Sequence, residues 1–225
     1  MFVEHMGVFM LKRLRPLAVA AAMLLSFATL GEARAADGSD SLQQQIDDVL
    51  AKTDGGVQIS RNEIAWNGGE VIMAFPLPGE AQAPVSSPAA QRLQAEVAGV
   101  AADATEQPPA DESESDSSAT ASDSCPTEVF GNDWYCFYQY KNFGGRRLQW
   151  NAKHVDRVFF SAYDFVNRTS SWSNKGGLDI YVMGRTVSGV DDSCSTPELW
   201  REGPHSRSTS LPSSLDNKAD CFAAV

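Results

Sequence analysis

The sequence has 225 residues, with 29 Asp and Glu against 18 Lys and Arg, and its formal net charge is −11. This length allows one or two domains. Because the net charge is negative and the sequence shows no basic patch, we do not expect nucleic acid to be a partner. The acidity is concentrated in residues 36–124, which hold 16 acidic and 3 basic residues, whereas residues 125–225 hold 11 of each. The C-terminal part is therefore neutral overall.

Residues 1–35 have the layout of a secretory signal peptide. Basic residues at positions 12, 13 and 15 precede an apolar run from Leu17 to Leu30, and Ala33-Arg34-Ala35 is a small-residue cleavage site. A transmembrane anchor is the alternative, but the apolar run of 14 residues is shorter than the roughly 20 that span a bilayer. We therefore expect cleavage after Ala35, secretion, and no stable membrane anchor afterwards.

Residues 36–77 predict a small helix-plus-hairpin segment. Ser41 and Gln44 fit a capping box, apolar residues follow at helical spacing, and Gly55-Gly56 supplies a stop, which predicts a helix over about 41–53. Asn67-Gly68-Gly69 lies between two β-type runs and predicts a hairpin, because Asn and Gly tolerate positive φ. A segment of this size is near the lower limit for independent folding, so we expect it to dock on another part of the protein or to stay marginal.

Residues 78–124 are rich in Ala, Pro, Ser, Glu and Asp, and residues 111–118 contain no apolar side chain. This composition predicts a disordered acidic linker, because it cannot bury enough surface to offset the chain entropy. A transient helix over 91–100 and cation binding by the acidic run are the alternatives that the residues leave open.

The four cysteines all lie in the last 101 residues. An even set of cysteines in a short exported domain indicates disulfides. Of the three possible connectivities we favour Cys125–Cys136 and Cys194–Cys221, because each pair is nearest in sequence. A zinc site is the competing use, but the sequence has no Cys-x-x-Cys spacing and its three histidines are scattered.

Residues 125–225 hold 16 of the 21 aromatic residues, so a packed core can form there. Short β-rich pieces alternate with clusters of Gly, Pro, Asn, Asp and Ser. This spacing predicts an all-β sandwich of about 100 residues with two disulfides. No Gly-x-Ser-x-Gly elbow or zincin helix occurs, and we expect the protein not to be an enzyme.

Two motifs in this domain resemble the βγ-crystallin Greek key. Tyr138, Phe143 and Gly145 match its aromatic-x-x-x-x-Phe-x-Gly signature. Residues 166–171 match its polar turn, Asn/Asp-Asn/Asp-x-x-Ser/Thr-Ser, at every position but the first, and residues 216–221 form a degenerate second copy. The resemblance implies a βγ-crystallin-like Greek-key sandwich whose first motif is carried by Tyr138, Phe143, Gly145, Asn167, Ser170 and Ser171.

The same resemblance implies a weak calcium site. In calcium-binding βγ-crystallins a hydroxyl of each polar turn and nearby carbonyls ligate the ion, in keeping with its preference for oxygen. The candidate ligands here are Ser170, Asp216 and Asp220, while Val166 departs from the pattern. In the alternative interpretation, Asn167 and Ser171 only hydrogen-bond the turn backbone. No other cofactor is expected.

Three further segments are similar to secreted actinobacterial proteins grouped with the streptomycete metalloproteinase inhibitor. They are Cys125-Pro126…Cys136, residues 199–205 and residues 216–220, and the resemblance covers residues 125–225. It implies a bacterial inhibitor that blocks thermolysin-like zinc proteases by presenting a loop in a substrate-like manner. The candidate inhibitory loop is Ser188, Gly189, Val190, Asp191, Asp192, Ser193, Cys194, Ser195, Thr196 and Pro197, and an ordinary inter-strand loop is the alternative.

The expected function is therefore a secreted, monomeric inhibitor of extracellular metallopeptidases that acts by active-site occlusion. The alternative is a secreted structural or envelope-associated binding module with a crystallin fold, with or without calcium.

Overall fold

The computed structural model describes residues 33–99, 122–126, 134–151, 157–184, 194 and 197–225. The two α-helices of this part are α1 (Ala33–Leu50) and α2 (Pro88–Val97). Its strands are β1 (Val57–Ser60), β2 (Glu63–Trp66), β3 (Val71–Ala74), β4 (Trp134–Tyr140), β5 (Gly144–Asn151), β6 (Val158–Phe159), β7 (Ser171–Asn174), β8 (Ile180–Met183), β9 (Glu198–Glu202), β10 (Ser206–Ser208) and β11 (Cys221–Ala224). No helix of the described part is long and apolar enough to cross a membrane. The predicted signal peptide lies outside the described residues, except for residues 33–35 at the start of α1.

The strands form two antiparallel sheets. One has seven strands in the order β1-β2-β3-β5-β4-β7-β10, and the other has four in the order β6-β11-β8-β9. Two disulfides connect Cys125 to Cys136 and Cys194 to Cys221, the two pairs that the sequence favours. The all-β fold class with two disulfides is confirmed.

Strands β4 to β11 form two consecutive Greek keys of four strands each. In both, the fourth strand returns to lie beside the first: β7 pairs with β4, and β11 pairs with β8. The third strand of each motif crosses to the other sheet, so that β6 pairs with β11 and β10 pairs with β7. This exchange relates the motifs by an approximate two-fold symmetry, as in a βγ-crystallin-like sandwich.

The core between the sheets is centred on Phe222 of β11. Its ring lies 5.0 Å from that of Phe137, 5.6 Å from those of Trp150 and Phe160, and 5.9 Å from that of Tyr135. Aromatic pairs at these separations stabilise a core beyond their buried area. Both Greek keys therefore share one aromatic core.

The N-terminal helix and hairpin extend this sandwich. Strand β3 pairs with β5 over four residues, Val71–Ala74 opposite residues 150–147, so the hairpin adds three strands to the first sheet. Helix α1 buries Leu42, Ile46 and Val49 in the same apolar cluster as the sandwich core. Residues 33–225 consequently form one compact unit, although composition separates residues 36–77 from 125–225. The predicted docking follows from an apolar helix face and a strand edge that each need a partner.

Two local predictions for this segment fare differently. The hairpin is confirmed, since Asn67, Gly68 and Gly69 have φ of 51°, 67° and 103° between β2 and β3. The predicted capping box at Ser41 is wrong, because α1 begins at Ala33 and ends at Leu50 rather than spanning 41–53. Residues 33–40, which extend the helix, include polar residues without apolar spacing, so apolar periodicity does not predict them as helical.

Residues 78–99 are folded, in contrast to the disordered linker predicted over 78–124. Ser87 caps the N-terminus of helix α2, since its Oγ accepts a hydrogen bond from Ala90 N at 3.2 Å. Ala90 and Leu93 pack against the outer face of the seven-stranded sheet. Composition misses this order because the apolar surface that stabilises the helix belongs to β2 and β3. Residues 100–121 lie outside the described part of the chain.

Candidate functional site

The β4–β5 turn contains the aromatic signature. Asn142, Phe143 and Gly145 have φ of 55°, 60° and 72°, and the Phe143 ring packs 5.1 Å from that of Tyr138. A Cβ added to Gly145 would lie 2.8 Å from the Cβ of Gln139, closer than side-chain atoms pack. Glycine is therefore required here by backbone conformation and by contact.

Ser171 ties this turn to β7. Its Oγ donates to the carbonyl of Tyr140 at 2.7 Å and accepts from Phe143 N at 3.1 Å. The residue is fully buried. Both hydrogen bonds are internal to the first Greek key, which makes Ser171 part of the scaffold.

The two polar turns bind each other through reciprocal main-chain hydrogen bonds. Asn167 N donates to the Ala219 carbonyl at 2.8 Å, and Asn217 N donates to the Thr169 carbonyl at 3.0 Å. Both asparagines have φ of 55°. The degenerate sequence at 216–221 thus keeps the conformation of the turn at 166–171.

The symmetry assigns each residue of the second turn a counterpart in the first. Ser170 N donates to the Tyr138 carbonyl of β4, and Asp220 N donates to the Met183 carbonyl of β8, at 2.9 and 3.0 Å. Asp220 therefore replaces Ser170. The next residue, Cys221, replaces Ser171.

The Cys194–Cys221 disulfide does covalently what the Ser171 hydroxyl does by hydrogen bonds. Ser171 holds the β4–β5 turn, which consists of residues 141–143, whereas Cys221 holds the β8–β9 connection of residues 184–197 through Cys194. The base of this connection is closed by Gly184 N, which donates to the Pro197 carbonyl at 3.1 Å. Of the candidate inhibitory loop, Cys194 and Pro197 are described, and residues 188–193, 195 and 196 lie outside the described residues.

The calcium candidates lie on the paired turns. Ser170 Oγ, 4% exposed as a residue, donates to the side-chain oxygen of Asn217 at 3.4 Å. One carboxylate oxygen of Asp216 and the hydroxyl of Thr169 are buried without a hydrogen-bond partner. Among the described residues no three His, Cys, Asp or Glu side chains group as metal ligands. The paired turns thus offer a calcium ion mainly hydroxyl and amide oxygens, with few carboxylates beside them.

Asp123 is a structural residue that the sequence interpretation missed. Its carboxylate accepts from Lys175 Nζ at 2.6 Å, Ser173 Oγ at 2.9 Å and Cys125 N at 3.1 Å, and its main-chain carbonyl accepts from Tyr138 Oη at 2.6 Å. Burial raises the pKa of this carboxyl, but the hydrogen bonds from Lys175 and Ser173 outweigh that effect and lower it. An Asp two residues before a cysteine, typical of an Asx-turn, was the local signal.

Glu202 is a second buried carboxyl that sequence reasoning missed. It is 0% exposed, its Oε1 accepts from Trp200 Nε1 at 3.0 Å, and its Oε2 has no hydrogen-bond partner. Burial raises the pKa of Glu202 well above its usual range, and the Trp200 hydrogen bond lowers it only in part. No feature of its own sequence neighbourhood distinguishes this glutamate from an exposed one.

The strand order defines the class of protein: a two-disulfide Greek-key sandwich with a crystallin-like exchange of third strands. No family model matches the sequence, and no curated protein matches it. Among solved structures, one described as "Evolution of the eye lens beta-gamma-crystallin domain fold" is similar, with 16% identity over 44% of this chain and 90% of that chain and a TM-score of 0.34. A likeness at this level carries no argument about function, and the resemblance to the inhibitor family stays a prediction.

Proposed function

We propose that the protein is a secreted inhibitor of extracellular metallopeptidases, which occludes the active site with the β8–β9 connection. The observation that supports it is the unequal length of two equivalent connections. The first Greek key joins its leading strands through residues 141–143, and the second uses residues 184–197. Binding residues concentrate on loops that a rigid scaffold positions, and the longer connection is such a loop.

The supports at the base of this loop favour binding without large rearrangement. The Gly184–Pro197 hydrogen bond brings the two ends together, and the Cys194–Cys221 disulfide joins the returning end to β11 in the centre of its sheet. A loop held in this way loses less conformational entropy when it binds a cleft. The partner is a metallopeptidase, by the sequence resemblance, and catalysis by the chain itself has no part in the proposal.

Thermolysin inhibition by the mature chain tests this function, and the two disulfides provide a matched pair of variants. Replacing Cys194 and Cys221 by Ser frees the loop, and we expect inhibition to weaken at least about tenfold, a difference of about 1.4 kcal/mol. Replacing Cys125 and Cys136 by Ser removes the disulfide away from the loop and leaves inhibition within about twofold, a change of less than 0.5 kcal/mol by the same conversion. Both variants are assayed below their melting temperatures, because each lost disulfide costs about 2–4 kcal/mol of stability.

Two outcomes would contradict this proposal, the first for the inhibitor function towards this class of protease and the second for the role of the β8–β9 connection. One is full thermolysin activity at a large molar excess of the chain. The other is equal inhibition by wild type and by a variant in which residues 188–193 are replaced by Gly and Ser. The second outcome would move the inhibitory contact away from the β8–β9 connection.

The second candidate function is a structural or envelope-associated binding module with calcium on the paired polar turns. The buried, unpartnered oxygens of Asp216 and Thr169 favour it, because calcium binds carboxylate, hydroxyl and carbonyl oxygen. Ser170, Asp216 and Asp220 would hold the ion, and the two carboxylates would balance its positive charge. Calorimetry with millimolar calcium tests this, with Asp216→Asn expected to abolish the heat and the exposed Asp54→Asn to keep it. No heat from wild type ends the idea.

A further inference from the structure

Asp164 is surrounded by three cationic side chains, which we call the cation cluster: Lys52, Arg146 and Arg168. Their nitrogens lie 3.8, 3.5 and 3.6 Å from the Asp164 carboxylate oxygens. All three distances exceed the roughly 2.7–3.2 Å of a hydrogen bond to oxygen. Three positive charges thus share one carboxylate without close contact, which leaves a net charge of two, three positive minus one negative.

The cluster is assembled from four separate parts of the chain. Lys52 follows the end of α1, Arg146 lies in β5, Asp164 follows the 3₁₀ turn Phe160–Tyr163, and Arg168 lies in the first polar turn. Asp164 has φ of 48°, and its carbonyl accepts a hydrogen bond from Arg168 Nε at 3.1 Å. The tertiary fold, rather than local sequence, concentrates the charge.

Arg146 is held in a fixed position within the cluster. Its guanidinium carbon lies 5.8 Å from the centre of the Phe75 ring and 5.9 Å from that of Phe165. Its side chain is 8% exposed, and its terminal nitrogens contact Met73 Sδ at 3.8 Å and the Asp164 carbonyl at 3.5 Å. Burial lowers the pKa of Arg146, and the adjacent charge of Arg168 lowers it further. A positive charge is therefore kept here with long, weak polar contacts.

The other two cations face solvent, where a ligand can reach them. The side chains of Lys52 and Arg168 are 57% and 37% exposed. Like charges held around one carboxylate repel each other, and a second anion would reduce that repulsion while accepting the hydrogen bonds that Asp164 does not take. Guanidinium groups suit oxyanions because their planar donor pairs match two oxygens at once.

We propose that the cation cluster binds the sulfate or phosphate group of a small anionic ligand, beside Asp164. Arg146 supplies the fixed buried charge, Arg168 and Lys52 close over the group from the solvent side, and the doubly negative oxyanion balances the net charge. The site is independent of the β8–β9 connection and of the proposed inhibition.

Calorimetry on the full mature chain tests the site, with inorganic sulfate and inorganic phosphate as probes and chloride at equal ionic strength as the reference. Arg168→Gln removes an exposed cation, and we expect sulfate affinity to fall about tenfold, the loss of one charge-assisted hydrogen bond. Lys52→Gln acts in the same direction, and Lys141→Gln, an exposed lysine outside the cluster, leaves affinity unchanged. Glucose 6-sulfate and glucose 6-phosphate then show which source of oxyanion is preferred.

Asp164→Asn separates a binding site from an ion-pair network that only supports the fold. Asparagine tolerates the φ of 48° at this position, and the change raises the net charge of the cluster by one. A binding site predicts tighter sulfate binding by Asp164→Asn, opposite in sign to Arg168→Gln. The proposal is overturned if sulfate acts no differently from chloride, or if Arg168→Gln and Asp164→Asn lower thermal stability while wild-type sulfate affinity is retained in both.

Discussion

Arg147 Nη1 donates a hydrogen bond to the carbonyl oxygen of Pro84 at 2.8 Å, across 63 residues of sequence. Arg147 is 0% exposed, its Nε donates to Gln149 Oε1 at 2.9 Å, and its Nη2 has no hydrogen-bond partner. Burial lowers the pKa of this guanidinium. The outer face of β5 thus carries the buried polar side chains Arg147 and Gln149, which are covered by residues 83–86.

Arg147→Ala should destabilise the protein by about 2–4 kcal/mol, because the carbonyls of Ala83 and Pro84 lose a donor and a cavity opens beneath them. Urea denaturation followed by tryptophan fluorescence measures the loss. Arg92→Ala, an exposed arginine on α2, is the matched control and should stay within about 0.5 kcal/mol of wild type. Equal stability of both variants would show that the cover over β5 contributes nothing.

Gly145→Ala should cost at least about 1–2 kcal/mol, because an L-residue at φ of 72° is strained and its Cβ would meet Gln139. Thermal denaturation by circular dichroism measures the change. Gly177→Ala is the control: it is exposed, and a Cβ there meets no atom within 4 Å. If the two alanine variants melt together, the signature glycine is not required by the β4–β5 turn.

Asp123→Asn should reduce stability at neutral pH by about 1–3 kcal/mol, because a buried carboxylate that accepts from Lys175 and Ser173 is replaced by a neutral amide. The folded pKa of Asp123 is lowered, so its contribution is present above the unfolded value of about 3.9 and is lost as pH falls through the folded value. Melting temperatures from pH 7 to pH 2 should converge for the two proteins. A gap that stays constant with pH would contradict an ionised Asp123.

Glu202→Gln should change the pH dependence in the opposite sense. The folded pKa of Glu202 is raised, so the wild type loses stability as pH rises above the unfolded value of about 4.3. Glutamine mimics the neutral carboxyl and retains an acceptor for Trp200, so it removes this loss. The variant should match wild type near pH 4 and exceed its melting temperature at pH 7, whereas Glu198→Gln on the exposed side of β9 should follow wild type. If melting temperature depends on pH in the same way for Glu202→Gln and wild type, the raised pKa of Glu202 is contradicted.

Local sequence patterns determined several parts of the fold. The hairpin at Asn67–Gly69 and the turn at Gly145 follow from positive φ, which few residue types adopt. The aromatic signature and the polar turn at 166–171 are likewise short motifs that the sequence shows directly, although the turn also pairs with the second Greek key through Asn167 and Asn217. Disulfide pairing could be inferred because each cysteine lies nearest its true partner in sequence. The hairpin and turn residues are recognised from a few neighbouring positions, and the disulfide partners, 11 and 27 residues apart, are nearer to each other than to any other cysteine.

Tertiary structure alone decided the rest. The edge of β5 takes β3 as a neighbour, the outer face of the sheet orders residues 83–97, and the cation cluster gathers three cations around Asp164. Each depends on the free energy of burying or pairing groups that are more than 15 residues apart in sequence, apart from the Arg168–Asp164 contact. Composition and periodicity describe one segment at a time. They therefore identify residues 78–124 as an acidic, polar segment, but they cannot show that residues 78–99 pack on the outer face of the seven-stranded sheet.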